Sequence, residues 1–369
     1  MRYIDEFRNP DAARALRTRI AERAAALEPA GRPVAIMEVC GSHTMAIARY
    51  GIRTLVPANV RLISGPGCPV CVTDAGYIDA AMELAGRGVT VATFGDMLNV
   101  PGSAASLAQC RAAGGDVAIC YSPTTALDLA RQHPEREVVF LAIGFETTIA
   151  PLAALVAQTA AAGVRNLTFL TAFKTVPPAL QALRADPEIR IDAFLCPAHV
   201  SAIIGANAYR PFVGPGGVPC VIAGFEPLDI LLGLDGILAQ IVAGEARIEN
   251  QYSRVVKDGG NPMAQAAIAR CLQPCGATWR GLGTIPASGL ELRPEYDAWN
   301  AARKHGVTVR AGRSHPGCRC GDVLKGKCEP PACRLFGTGC TPDHPVGPCM
   351  VSVEGTCAAW FKYAQRGMA

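Results

Sequence analysis

Apolar residues in this chain form short, nearly continuous runs that alternate with segments of helical spacing. The first runs predict strands at 34–39, 59–64, 89–94 and 116–120, with helices near 43–50, 74–86 and 103–113 between them. A second series begins at Glu137 and continues with strands at 167–171, 192–196 and 218–223 and helices at 147–162, 177–185, 199–208 and 226–243. Parallel strands buried on both faces have this composition. The pattern therefore predicts an α/β fold with parallel sheets.

The domain organisation is predicted from changes in this pattern. The charged segment 131–137, with Pro134, indicates a boundary between a first α/β domain at 1–133 and a second at 134–245. The first of these begins with a surface helix at 10–28. After Gly244 the chain is more polar, and residues 318–357 combine seven cysteines with many prolines and glycines. Because such a stretch buries little core, we expect a metal centre to stabilise a third domain at 246–369.

Composition excludes several classes of protein. Of 369 residues, 50% are hydrophobic and 18% are charged, which is typical of a globular chain. The net charge of +4, without a basic run, does not indicate a nucleic-acid surface. The first twenty residues lack the apolar core of a secretory signal, and the longest apolar stretch, 149–164, contains Pro151 and predicts a buried helix instead of a membrane span. We therefore expect a cytoplasmic protein that does not enter a membrane.

The sixteen cysteines change this picture. In a reducing compartment structural disulfides are not expected, and clustered cysteines point to metal binding or redox chemistry. Single cysteines on apolar strands, such as Cys120, Cys196 and Cys220, are interpreted as small core residues.

Cys40 is the first candidate site residue. It ends the apolar run 36–39 and precedes a predicted helix that Ser42 can cap. A thiol at a helix N-terminus feels the positive end of the helix dipole, which favours the thiolate that binds metals. His43 lies three residues further on, where both side chains can share one helix face. Gly41 leaves the approach to the thiol free of a side chain.

Cys68 and Cys71 repeat this arrangement after the next strand. The sequence GPGCPVC at 65–71 predicts a turn followed by a helix N-terminus. Consecutive parallel strands end at the same edge of a sheet, so we expect these thiols near Cys40. The pair can be a redox dithiol, half of a metal site or two packing residues, and its strand–turn–helix context favours redox chemistry.

The tail cysteines are the third candidate. They are Cys318, Cys320, Cys328, Cys333, Cys340, Cys349 and Cys357. Zinc ribbons normally need two Cys-x-x-Cys knuckles, which are absent here. Seven thiols within forty residues suit an iron–sulfur cluster held by four thiolates better than zinc.

Together these residues resemble one known family, from about residue 30 to the C-terminus. The matching motifs, in order, are CGSHT at 40–44, GPGCPVC at 65–71, FGDMLNVPGS at 94–103, GFETT at 144–148, KTVPP at 174–178 and the cysteine-rich tail. The chain resembles the HypD family, which helps to build the iron site of [NiFe]-hydrogenases. The resemblance implies two similar parallel-sheet α/β domains facing a cleft, plus a C-terminal cysteine-rich iron–sulfur domain.

The resemblance also implies cofactors and partners. The family's spacing assigns a [4Fe-4S] cluster to Cys318, Cys333, Cys340 and Cys357, and leaves Cys320, Cys328 and Cys349 without a role. It implies that Cys40 and His43 belong to the site where an Fe(CN)2CO unit is assembled, and that Cys68 and Cys71 are a redox pair. Thiolate is a suitable ligand for such a soft iron. His43 can ligate the iron or hydrogen-bond a cyanide nitrogen, and we expect the hydrogen bond because the shared iron is already nearly filled.

The implied partners are a HypC-type small chaperone that shares the iron, a HypE-type cyanide donor and, indirectly, the hydrogenase large subunit. Two alternatives come from other classes. An iron–sulfur-dependent disulfide reductase would explain the tail cysteines with Cys68 and Cys71, and would leave Cys40 and His43 without a task. A structural scaffold stabilised by a cluster would leave the dithiol unexplained.

Overall fold

The computed structural model describes residues 5–28 and 31–363. Its strands are β1 (Val34–Glu38), β2 (Val60–Ser64), β3 (Thr90–Thr93), β4 (Val117–Ile119), β5 (Val138–Gly144), β6 (Leu167–Phe173), β7 (Ala193–Pro197), β8 (Cys220–Ala223), β9 (Ile248–Asn250), β10 (Leu272–Trp279) and β11 (Gly283–Leu292). The strands from β1 to β8 agree in place with the predicted apolar runs, because most residues of these strands are buried; the edge strands β2 and β4 each have one exposed residue.

The helices occupy the segments between the strands. They are α1 (Pro10–Ala26), α2 (Gly41–Arg49), α3 (Ile52–Leu55), α4 (Pro69–Val72), α5 (Ala75–Gly86), α6 (Leu107–Ala112), α7 (Thr124–Gln132), α8 (Glu146–Ala161), α9 (Val176–Ala185), α10 (Ala198–Ile204), α11 (Pro227–Val242), α12 (Pro262–Cys271), α13 (Ala301–His305), α14 (Cys320–Leu324) and α15 (Thr356–Tyr363). Short 3-10 turns lie at Asp5–Arg8, Gly95–Met97, Ala206–Phe212, Pro294–Trp299, Pro330–Ala332 and Pro348–Met350. In the described residues no helix is long and apolar enough to cross a membrane.

The strands form two parallel sheets and one antiparallel hairpin, which confirms the predicted parallel α/β class. The first sheet has the order β2-β1-β7-β8-β9, and the second has the order β4-β3-β5-β6. The hairpin pairs β10 with β11 and contains a bulge between Cys275 and Ala277. In the first sheet Val34 is in register with Val60 of β2, and Ile36 with Ala193 of β7.

The two sheets do not follow the predicted division of the chain. The chain forms β1 and β2 of the first sheet, then all of the second sheet, and returns to the first sheet with β7. The predicted boundary at residue 133 falls inside the second sheet, since β3 pairs with β4 before it and with β5 after it. The local pattern could indicate where strands lie, but strand order depends on contacts between segments far apart in sequence.

The two sheets share one hydrophobic core. A single cluster of buried side chains contains Met37 and Phe194 from the first sheet and Val91 and Leu141 from the second. The same cluster contains Cys68, Cys71, Cys320 and Cys349. The tail is thus attached to the α/β part of the chain through buried sulfur and apolar contacts.

Candidate metal and redox site

The site lies where the first sheet changes its winding direction. From β1 the chain continues to β2 on one side, whereas β7 continues to β8 on the other. Ligands of open α/β sheets bind at the carboxyl ends of the strands beside such a point. Cys40 follows β1 there, and His199 follows β7.

Glycine brings the segment before Cys68 into direct contact with the backbone of Cys40. A Cβ added to Gly67 would lie 2.2 Å from the Cys40 backbone nitrogen, so only glycine fits. The amide of Gly41 donates to the Gly67 carbonyl at 3.0 Å, and that of Gly65 donates to the Glu38 carbonyl at 2.8 Å. The predicted proximity of the two thiol-bearing turns is therefore confirmed.

Cys40 is the N-cap residue of α2, but the predicted preference for thiolate is wrong for this arrangement. Burial, together with the negative charge of Glu354, raises the pKa of the Cys40 thiol to about 12. The amides of His43 and Ser42 at the helix N-terminus act in the opposite direction and do not compensate. Desolvation therefore outweighs the helix dipole. Deprotonation of Cys40 needs a positive charge brought to it, such as a metal ion.

Glu38 lies beneath this thiol as a second buried acid. Its carboxylate accepts hydrogen bonds from the Cys40 amide at 3.1 Å and from the Thr44 hydroxyl. Burial raises its pKa to about 7 despite these bonds. Glu38 could not be identified from the sequence as a site residue, because it lies within the apolar run that predicts the strand at 34–39.

His43 is completely buried, and its ring is directed away from solvent toward the end of β8. Its Nε2 donates to the Gly224 carbonyl at 2.9 Å, and its Nδ1 has no hydrogen-bond partner among the residues that the structure describes. Burial lowers the pKa of His43 to about 4, so the ring is neutral. In this arrangement His43 has no free N–H for a cyanide nitrogen, which differs from our expectation.

A row of three tilted aromatic rings extends from His43 across the carboxyl ends of β7 and β8. Phe225 lies 4.7 Å from the His43 ring and 4.2 Å from the His199 ring, centroid to centroid. The sequence indicated this cluster only indirectly, because GFEP follows β8 and CPAH begins within β7 and ends at His199. Lys174 directly follows β6 and is also buried, and its Nζ donates to the Ala172 carbonyl at 3.2 Å.

Ser42 does not cap α2 as predicted. Its hydroxyl donates instead to Oε1 of Glu354, 2.6 Å away in the cysteine-rich tail. A Cβ added to Gly41 would lie 2.5 Å from the Glu354 Cβ. The space expected to be open in front of Gly41 is therefore occupied by a tail carboxylate that sequence spacing could not reveal.

Cys68 and Cys71 form a disulfide at the start of α4, with their Cα atoms 5.3 Å apart. Cys68 is the N-cap residue, and its Sγ accepts the amide of Cys71 at 3.3 Å. Cys71 is completely buried, and its Sγ lies 4.0 Å from the Pro348 carbonyl. The disulfide thus contacts the tail directly before Cys349.

Six of the seven tail cysteines line one small cavity. They are Cys318, Cys320, Cys333, Cys340, Cys349 and Cys357, so the set contains all four predicted cluster ligands. Cys328 lines a different cavity, beside Arg61 and Trp360. Apolar side chains including Leu335, Phe336 and Met350 form the remaining wall. A sulfur-rich, apolar cavity fits the donor set and surroundings of an iron–sulfur cluster.

Two cysteines that had no predicted role form a pair within this wall. The Sγ atoms of Cys320 and Cys349 lie 2.6 Å apart, and both residues are buried. The hydrogen bond from Cys349 lowers the pKa of Cys320, and the charge of Arg280 acts in the same direction. The pair lines the same cavity as the four predicted ligands, and Pro348, which precedes Cys349, contacts the disulfide.

In the described part of the chain, no three His, Cys, Asp or Glu side chains converge as ligands of one metal ion. A [4Fe-4S] cluster is held by four cysteine thiolates on four different irons, so its ligands need not converge on one point.

The chain is similar to known hydrogenase maturation proteins. A family model named HypD, described as "Hydrogenase formation hypA family", matches residues 11–364. "Hydrogenase maturation factor HypD" of Azotobacter vinelandii is 47% identical over 100% of this chain and 98% of its own length. The Escherichia coli protein of that name is 46% identical, with 99% of both chains covered, and the Rhodobacter capsulatus one is 46% identical, with 98% covered. The chain therefore belongs to the HypD family of hydrogenase maturation factors.

Proposed function

We propose that this protein is the scaffold on which the Fe(CN)2CO unit of a [NiFe]-hydrogenase is assembled, with Cys40 as its iron ligand. The observation that carries the proposal is a series of backbone contacts that joins Cys40, the Cys68–Cys71 disulfide and the cysteine-rich tail. Cys40 touches the turn that carries the Cys68–Cys71 disulfide, and that disulfide touches the tail beside Cys349. The alternative function, a disulfide reductase, would give no role to the contact between Cys40 and the turn that carries the disulfide.

The iron unit is cargo, and Cys40 supplies the protein's soft ligand for it. Iron binding would displace the thiol proton, which burial otherwise holds firmly. Glu38 and Glu354 are the nearby carboxylates, and both act on the Cys40 thiol electrostatically. A HypC-type chaperone would share the iron, and a HypE-type protein would supply the cyanide.

The tail cysteines supply the electrons that reduce the Cys68–Cys71 disulfide. A [4Fe-4S] cluster bound by Cys318, Cys333, Cys340 and Cys357 would supply single electrons in the cavity. Thiol–disulfide exchange links the Cys320–Cys349 pair to the disulfide: one thiolate attacks it, and the second thiol resolves the mixed disulfide. The products are a Cys320–Cys349 disulfide and the Cys68–Cys71 dithiol, so two electrons and two protons are transferred.

Infrared spectroscopy of the chain co-purified anaerobically with its small chaperone tests the proposal. We expect cyanide and carbon monoxide stretching bands in the native complex and none in Cys40→Ala, which should retain its fold and tail cluster. Cys40→Ser should also lose the bands, because a hard oxygen ligand replaces thiolate poorly. Cys120→Ala is the matched control, since Cys120 is a buried cysteine that follows a strand of the other sheet. Unchanged bands in Cys40→Ala would exclude this role for Cys40.

A further inference from the structure

One ring nitrogen of His43 forms no hydrogen bond with any residue that the structure describes. Nε2 lies 2.9 Å from the Gly224 carbonyl oxygen, and a carbonyl oxygen can only accept, so Nε2 carries the ring proton. Nδ1 is buried and lacks a partner among the described residues. A second proton on Nδ1 would create an unpaired buried cation, which is costly. The ring is therefore neutral, with the lone pair of Nδ1 unused.

Histidine ligands of metals have this arrangement. A metal-bound imidazole normally donates its other ring N–H to a backbone carbonyl, a carboxylate or water, which fixes the tautomer and the orientation of the ring. In His43 the Gly224 carbonyl accepts that N–H. The ring of Phe225 packs against His43, with the centroids 4.7 Å apart, and limits its rotation. The remaining nitrogen is thus held in place as an electron-pair donor.

This nitrogen belongs to the same helical turn as the Cys40 thiol. Cys40 is the N-cap residue of α2, and His43 is the third residue of the helix. The Thr44 amide donates to the Cys40 carbonyl at 3.0 Å, so the first turn begins at Cys40 itself. Side chains three positions apart in such a turn lie on one face of the helix. Nδ1 is also the ring nitrogen nearer to the helix backbone, so an iron bound to the Cys40 sulfur lies on its side of the ring.

We propose that His43 is a second protein ligand of the iron in the Fe(CN)2CO unit and binds it through Nδ1. The inference rests on the proposed function, in which Cys40 binds this iron. Two cyanides, one carbon monoxide, the Cys40 thiolate and a thiolate of the small chaperone leave one position of an octahedral iron for nitrogen. Imidazole is a suitable ligand for iron. The bond forms by donation of the Nδ1 lone pair, and no proton is released because Nδ1 carries none.

Both ligands are covered by the tail in this structure. Cys40 is only 9% exposed, and His43 is not exposed at all. Ser42, which lies between them in the chain, donates to Glu354 at 2.6 Å, and Gly41 lies against the same glutamate. The tail segment around Glu354 therefore has to move aside when the iron unit enters.

Infrared spectroscopy combined with chemical rescue tests this ligation. The native protein, His43→Ala and His305→Ala are each co-purified anaerobically with the small chaperone. In His43→Ala we expect the cyanide and carbon monoxide bands to shift or disappear, because the iron loses a nitrogen donor. Imidazole added during assembly should restore the native bands. Pyrrole, a ring of similar size, should not restore them, because its nitrogen bears a hydrogen and has no lone pair available to iron.

His305→Ala is the matched control. His305 ends α13, and its side chain is only 13% exposed, beside Glu137 at the amino end of β5. Its removal also leaves a space for a small ring, but at the end of the strands opposite to a carboxyl-edge site. The bands of this variant should have native positions with and without imidazole.

The outcomes separate this inference from the proposed function. Absence of the bands from the native complex would refute the proposed function itself. Native bands in folded His43→Ala would refute ligation by His43 and leave the role of Cys40 intact. Bands that pyrrole restores as well as imidazole, or that neither compound restores, would show that the ring has a structural role only.

A second variant covers the case in which circular dichroism shows that His43→Ala does not fold. In His43→Gln the side-chain amide can still donate to the Gly224 carbonyl, but no ring nitrogen is left for iron. Shifted or absent bands in folded His43→Gln support the proposal, and bands at the native positions overturn it.

Discussion

The hydroxyl of Ser42 donates a 2.6 Å hydrogen bond to Oε1 of Glu354, although 312 positions separate the two residues in the chain. This bond joins the helix after Cys40 to the cysteine-rich tail. The adjacent Gly41 lies against the same glutamate, whose backbone oxygen would be 3.0 Å from an added Cβ. The candidate iron site and the tail are therefore one structural unit.

Gly41→Ala should weaken the contact between helix α2 and the cysteine-rich tail and destabilise the protein. The added methyl group would overlap the side chain and backbone of Glu354, so we expect a loss of about 1–3 kcal/mol in the free energy of unfolding. Urea denaturation measures this loss, and limited proteolysis should show faster cleavage in the tail. Gly86→Ala is the control, because Gly86 lies in α5 with no atom within 4 Å of an added Cβ. It should stabilise the protein by about 0.5–1 kcal/mol. A Gly41→Ala protein as stable as the native one would contradict the tight contact.

Cys333→Ala should remove the tail cluster. Anaerobically purified native protein should contain about four irons per chain and absorb broadly in the visible range. The variant should lose the iron, the absorption and part of its stability, because cluster binding is coupled to folding. Cys328→Ala should retain all three, since Cys328 lies outside the sulfur-lined cavity. Zinc in place of iron, or equal loss of iron in Cys320→Ala and Cys349→Ala, would show that the ligand assignment is wrong.

Cys68 and Cys71 should change oxidation state together. Thiol trapping after equilibration at a series of potentials should show both cysteines becoming accessible to alkylation in one two-electron transition. Cys120 provides an internal control because it is a buried single thiol. It should remain reduced throughout. If Cys68 and Cys71 have one fixed oxidation state at every accessible potential, their role is packing or metal binding and not electron transfer.

Glu146 should give the protein a measurable dependence of stability on pH. Burial raises its pKa from 4.5 to about 7, and its Oε1 accepts the Val176 amide at the start of α9. Between these values the folded state binds more protons than the unfolded state. The contribution of Glu146 is therefore fully present below pH 4.5 and is lost as pH rises through 7.

Glu146→Gln removes this titration without a large change in shape. Relative to the native protein, the variant should gain about 3 kcal/mol between about pH 4 and pH 8. Urea unfolding of both proteins at the two pH values measures the difference directly. Glu135→Gln is the control, because Glu135 is exposed and lies outside the core. A pH-independent difference between Glu146→Gln and the native protein would show that Glu146 does not titrate as described.

The sequence by itself determined the local elements and part of the site. The apolar runs predicted the strands because a parallel strand is buried on both faces whatever its neighbours are. Cys40 and Cys68 could be placed together because they follow consecutive strands, and β1 does pair with β2. The resemblance to the HypD family also implied four ligands among the tail cysteines, and all four line one cavity.

Only the tertiary structure decided the rest. β1 pairs with β7 as well as β2, so the sheets interleave along the chain, and no local pattern encodes that pairing. The pKa of Cys40 depends on burial and on Glu354, which outweigh the helix N-terminus that is visible in the sequence. The contacts of Arg280 with Val72 and of Gly281 with Gly321 likewise join distant segments. Desolvation and electrostatic interactions depend on which groups surround a residue in space, and packing between distant segments decides those groups.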